Sequence, residues 1–96
     1  KKAGLDPTAV HGSISGGAAG GWAMTNLAPR ALGDNYAPGF YVKHIIKDMK
    51  IALESAAELK LDVPGLACAK KLYDQVAARG WEDCGTQALY RLYTSL

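Results

Sequence analysis

Apolar residues recur at spacings of three and four through most of this chain, and the clearest run lies between residues 36 and 59. Pro38-Gly39 stops whatever precedes it, and no Gly or Pro then interrupts residues 40–63, which predicts one helix of about five turns. Its apolar stripe is Val42, Ile45, Met49, Ala52, Ala56 and Leu59, and Ile46 and Leu53 widen it to nearly half the circumference. A face that wide predicts a central helix, packed by neighbours on more than one side.

The flanking segments carry the same period. Asp6 suits an N-cap and Pro7 a first helical position, with Ala9, Val10 and Ile14 supplying an apolar side up to Ser15. Glycines then crowd residues 12–21. A phosphate-cradling loop would need a preceding strand, and a Walker-type loop a Gly-Lys-Ser/Thr ending; neither is present, so a tight corner between helices is expected. Residues 22–32 read as helical, with Pro29 either kinking the helix or ending a first half, and Gly33-Asp34-Asn35 closing it. Pro64 opens an amphipathic helix to about Arg79, and Gly80 ends it. The loop Trp81-Glu82-Asp83-Cys84-Gly85-Thr86 leads into a last helix carrying Ala88, Leu89, Leu92, Tyr93 and Leu96. No segment alternates with period two, so strands are not needed. The reading is all-α: about five helices arranged around the long one.

Composition narrows the class. The 96 residues suffice for one small domain, and 49% hydrophobic with 21% charged residues is ordinary for a globular protein. A net charge of +2 is too small for a nucleic-acid footprint across a whole face. No apolar run approaches a bilayer span, and Lys1-Lys2 is not followed by a signal-like apolar core, so a soluble, cytoplasmic domain is expected. Cys68 and Cys84 are expected as free thiols, and no further ligands suggest zinc. The opening Lys1-Lys2-Ala3-Gly4 reads as the last turn of a helix, cations preceding a glycine at the C′ position, which suggests a domain belonging to something longer.

Candidate chemistry is sparse. His11 and His44 stand apart, no nucleophile elbow exists, and hydrolysis is not expected. His44 and Asp48, four apart, supply two metal ligands at most and are expected as a hydrogen-bonded pair on the helix surface. Lys43, Lys47 and Lys50 give the long helix a cationic edge, which raises the question of an anion. Lys47 and Asp48 point about 100° apart and so serve separate surroundings. Their apolar company, Ile45, Ile46, Met49, Ala52 and Leu53, is expected to bring both heads near the packed side.

A specific resemblance rests on motifs in order: Gly-Leu-Asp-Pro at 4–7, Pro-Gly-Phe at 38–40, Lys-Asp-Met at 47–49, Ala-Leu-Glu at 52–54, Val-Pro at 63–64 and Ala-Leu-Tyr at 88–90. The chain resembles the C-terminal helical domain of the β-hydroxyacid dehydrogenases, which include 3-hydroxyisobutyrate dehydrogenase, tartronate semialdehyde reductase and the glyoxylate/succinic semialdehyde reductases. The resemblance covers residues 1–96 as one all-α domain of the 6-phosphogluconate dehydrogenase C-terminal type, residues 1–3 being the end of an interdomain helix. It implies an enzyme moving hydride between a 3-hydroxy acid and its semialdehyde with NAD or NADP. The N-terminal Rossmann domain, the Gly-x-Gly-x-x-Gly loop, the substrate-anchoring Ser/Thr segment and the catalytic lysine would all lie upstream. The chain by itself would then hold no catalytic residue and be inactive.

For residues present here, the resemblance assigns Lys47 to the nicotinamide end of the cofactor, Asp48 to the surroundings of Lys47 or a substrate hydroxyl, and Phe40 to the wall of the substrate pocket. Lys43 and Lys50 become plain solvent charges. Gly85 departs from the Asp that caps the final helix in many relatives, which puts that helix start in question. The implied partners are a small hydroxy acid or semialdehyde, the protein's own Rossmann domain and a second copy in a homodimer or homotetramer, with no nucleic acid, membrane or metal. The competing reading is a free-standing all-α self-association or protein-interaction domain without catalysis.

Overall fold

The computed structural model describes residues 1–94. Among them the fold is all-α: α1 Pro7–Ile14, α2 Trp22–Asn26, α3 Ala28–Leu32, α4 Val42–Glu58, α5 Pro64–Ala78, a 3-10 helix Thr86–Tyr90 and α6 Arg91–Thr94. The chain divides into two units, Lys1–Tyr36 and Ala37–Leu96.

In the first unit, α1 starts as its sequence dictates. Asp6 Oδ1 accepts from the Thr8 N–H at 3.1 Å, and Pro7 occupies the first turn, where its missing N–H needs no acceptor. Its apolar side is not buried, however: Val10 is 37% and Ile14 43% exposed. His11 Nε2 donates to the Met24 carbonyl at 2.7 Å and ties α1 to α2. The glycine-rich stretch is the expected corner. A Cβ at Gly20 would lie 2.6 Å from the Ser15 carbonyl oxygen, an approach only glycine permits. The helix predicted over 22–32 is two helices meeting at Leu27, because Pro29 falls in the first turn of α3. In an unbroken helix its ring would collide with the carbonyl of Thr25.

In the second unit, α4 packs on α5 and the 3-10 helix. Val42 and Val76 are fully buried, and Met49, Ala56, Ala88 and Leu92 complete the core. Each buried valine contributes about 1.5–3 kcal/mol. The wide stripe of α4 is covered only in part, since Leu59 is 69% exposed and Ala52 is exposed as well.

Helices α3, α4 and α5 share one ending. After each, a residue in the left-handed region turns the chain, Asp34 at φ 60°, Lys60 at φ 56° and Gly80 at φ 83°. The next N–H returns to a carbonyl five residues back, Asn35 to Arg30 at 2.8 Å, Leu61 to Ala56 at 2.8 Å and Trp81 to Val76 at 3.3 Å. This ending stops α4 at Glu58, although no Gly or Pro occurs before Val63. The final helix also differs from expectation. Gly85 has no side chain to cap it, so Thr86–Tyr90 winds as a 3-10 helix before α6 begins. Leu96, assigned to that helix from its spacing, lies outside the described residues.

Candidate functional site

The segment leading into α4 is fixed by a loop from far along the chain. The first two helical amides of α4 donate to that loop, Val42 N–H to the Cys84 carbonyl at 2.9 Å and Lys43 N–H to the Glu82 carbonyl at 3.0 Å. The next two, His44 and Ile45, both reach the Tyr41 carbonyl at 3.1 Å. The amides of Val42, Lys43 and His44, which a helix start would leave unsatisfied, are therefore used within the protein and are not free to cradle an anion. Thr86 N–H donates to the Phe40 carbonyl at 2.9 Å, Gln87 Nε2 donates to the Ala37 carbonyl at 3.0 Å, and an antiparallel bridge joins Tyr41 to Gly85.

Lys43, read as a solvent charge, is instead part of this clamp. Its Nζ lies 2.6 Å from Asp83 Oδ1 and 5.0 Å from the centre of the Tyr41 ring. The hydrogen bond to Asp83, then that carboxylate's charge, hold the Lys43 ammonium above its ordinary pKa. A lysine raised in the fold contributes stability below the ordinary lysine pKa and loses it as pH rises through the folded value. Both partners are well exposed, so the contribution is small. Asp83→Asn is expected to lower the melting temperature only slightly, with the difference fading at high salt; thermal melts at two ionic strengths check this.

The side of α4 opposite Val42 and Met49 carries His44, Lys47, Asp48 and Ile51, all exposed. Phe40, 43% exposed, joins them from the preceding loop. Its ring centroid is 6.3 Å from that of His44, and Tyr41 lies 5.2 Å from the same imidazole, both pairs tilted. The three residues proposed from sequence, Phe40, Lys47 and Asp48, thus lie along one exposed strip. Lys47 and Asp48 point away from the packed side, not toward it as their apolar company suggested. Among the described residues neither makes an ion pair or side-chain hydrogen bond. The expected His44–Asp48 hydrogen bond is not formed either; His44 spends its ring on aromatic contacts. Lys50 is exposed, as expected.

Two features escaped the sequence reading. His44 was dismissed as half of a surface pair. The loop Trp81 to Thr86 reads from sequence only as a connector, and its one signal is Gly85, where a capping residue is expected. Among the described residues no group of three or more His, Cys, Asp or Glu could hold a metal ion. Among the described residues no helix is long and apolar enough to cross a membrane.

A protein-family model described as the NAD-binding region of NADP-dependent 3-hydroxyisobutyrate dehydrogenase matches residues 1–93. The chain belongs to the 3-hydroxyisobutyrate dehydrogenase family. An uncharacterized oxidoreductase of Bacillus subtilis, YkwC, is 56% identical over 93 residues, covering 97% of this chain and 32% of that protein. The 2-hydroxy-3-oxopropionate reductase of Escherichia coli is 33% identical over 88 residues, covering 92% of this chain and 30% of the reductase. The crystal structure of a 3-hydroxyisobutyrate dehydrogenase from Salmonella typhimurium superposes with a TM-score of 0.88 at 18% identity, over 95% of this chain and 32% of that one. This likeness establishes the all-α fold. The chain spans about a third of the length of these members of the 3-hydroxyisobutyrate dehydrogenase family.

Proposed function

We propose that this chain is the substrate-side helical domain of an NAD(P)-dependent β-hydroxyacid dehydrogenase, an enzyme transferring hydride between a 3-hydroxy acid and its semialdehyde. One observation carries the reading: in a chain of this family, α4 turns Lys47 and Asp48 outward beside Phe40 of the preceding loop, along one strip, with both charged groups unpaired among the described residues. An exposed cation and carboxylate beside an aromatic ring suit a wall that closes over a reaction centre built elsewhere.

The nicotinamide, when bound, supplies the hydride acceptor or donor. The chain's residues fit contact with that group but not its capture, because the amides at the start of α4 are already spent. Lys47 would hold an oxygen of the cofactor or of an anionic substrate, its ammonium offering three donors. Asp48 would accept from a substrate hydroxyl or orient the surroundings of Lys47. Phe40 would exclude water from the reacting carbon. The catalytic lysine, the Rossmann domain and the interdomain helix ending at residues 1–3 belong to the same proposal, as do a cytoplasmic setting and self-association as a homodimer or homotetramer. The exposed Leu59 and Leu61 support the last point by offering apolar surface to a second copy. The alternative, a free-standing self-association or protein-interaction domain without catalysis, would use the same exposed apolar surface but gives no role to the outward Lys47 and Asp48.

The intact protein is expected to oxidise at least one 3-hydroxy acid with NAD or NADP, and light scattering on the same preparation to give a dimer or tetramer. Failure to oxidise or reduce any member of a panel of hydroxy acids and semialdehydes with either cofactor would sink the reading.

A further inference from the structure

His44 is the residue of this strip to which the family resemblance gives no role. Its ring is held on two sides, by Phe40 at 6.3 Å and Tyr41 at 5.2 Å, yet its nitrogens make no hydrogen bond among the described residues. Asp48 follows one turn later on the same exposed side, with its carboxylate likewise unspent. Side chains four apart on a helix are neighbours, about 5–6 Å between Cβ atoms. The strip therefore presents an N–H donor, held in orientation by aromatic packing, next to an anionic acceptor.

The group that satisfies both is a hydroxyl, since it accepts through its oxygen and donates through its proton. A methyl group would leave both the imidazole and the carboxylate dehydrated and unpaired. A second carboxylate would meet His44 favourably and Asp48 with like charge. Resting on the dehydrogenase reading above, we propose that His44 and Asp48 together select a substrate bearing a hydroxyl beside the carbinol that reacts, a 2,3-dihydroxy acid, over one bearing an alkyl group there. His44 is the specificity-determining member, and Phe40 and Tyr41 set the angle of its ring.

The test uses the intact enzyme and substrates that differ at a single substituent: glycerate with a hydroxyl, 3-hydroxyisobutyrate with a methyl and 3-hydroxypropionate with hydrogen. The wild type is expected to favour glycerate over 3-hydroxyisobutyrate in kcat/KM by about tenfold or more. His44→Leu is expected to erase most of that preference, chiefly by raising KM for glycerate, and His44→Gln to restore part of it by returning a donor. His44 is exposed, so the variants should fold, and circular dichroism of each checks this. Lys47→Ala, run in parallel, should lower turnover of all three substrates together. An unchanged substrate ratio in His44→Leu alongside a crippled Lys47→Ala would overturn the role of His44 and leave the dehydrogenase reading standing. A wild type that prefers 3-hydroxyisobutyrate, or turns over none of the three, overturns the selection proposed here.

Discussion

Lys47→Ala in the intact enzyme is expected to lower kcat by about 10²–10³-fold, the usual cost of removing one fixed donor from a site where charge develops. The argument starts from what Lys47 does not do. It lies on the side of α4 away from Val42 and Met49, and it makes no ion pair or side-chain hydrogen bond among the described residues. Removing it therefore leaves no partner stranded, and the melting temperature should hold. A loss confined to activity, with folding intact, is the signature of a group used only when ligand is bound. Lys47→Arg should recover only part of the loss, because a planar guanidinium does not reproduce a compact ammonium. Wild-type kinetics in Lys47→Ala would reduce the residue to a solvated charge.

The second large effect falls on stability. Gly85 is buried, and a Cβ there would press on the Gln87 side chain and stand 2.9 Å from the Ala37 carbonyl oxygen. Gln87 is only 8% exposed and donates to that same carbonyl, so it has little freedom to retreat. Gly85→Ala is expected to cost about 1–3 kcal/mol, the range for overpacking a closed core. In a domain of this size each kcal/mol lowers the melting temperature by about 4–8 °C. Gly85→Asp should cost more, since it adds a charge to the same crowded place. Gly85→Ala combined with Gln87→Ala should be less damaging than the two single losses summed, because the second removes the obstacle met by the first. Strict additivity in that cycle would show that the crowding is not the cause. The pairing also accounts for the glycine in place of a capping acid: the room a larger residue would use is taken by Gln87.

The fold was legible wherever a boundary had its own residue. Pro7, Pro29, Pro64 and Gly80 each mark a helix edge at or within two residues of where the chain turns, and the apolar period gave α4 and α5. It was not legible at Lys60, because a lysine in the left-handed region carries no mark in composition; the returning Leu61 N–H makes that turn, and its partner Ala56 looks like any helical alanine. Burial was over-read for the same reason that periodicity was useful. A stripe names the positions that could be covered, but among the described residues Val42, Met49 and Ala56 are buried while Ala52 and Leu59 are not.

The candidate site was legible as a set of residues and not as an arrangement. Motif order singled out Phe40, Lys47 and Asp48, but the apolar neighbours of the two charges suggested the wrong side of the helix. On a helix, sequence neighbours point elsewhere, and Phe40 and His44 are the ones that share the strip with them. The role of Lys43 was hidden in a different way, because its partner Asp83 lies 40 residues away.

That separation has a kinetic side. The loop that satisfies the first amides of α4 does so through the Glu82 and Cys84 carbonyls, and the Gln87 contact to Ala37 closes a circuit of 50 residues. Closing so long a circuit costs a few kcal/mol of chain entropy, roughly, before any contact returns it. During synthesis, α4 could wind its later turns early, but its opening turn must wait until Glu82 and Cys84 have been made, and the segment before it until Thr86 and Gln87 follow. The strip bearing Phe40 would then be among the last parts to set, and early refolding intermediates should protect the amides of residues 46–58 from exchange before those of residues 42 and 43.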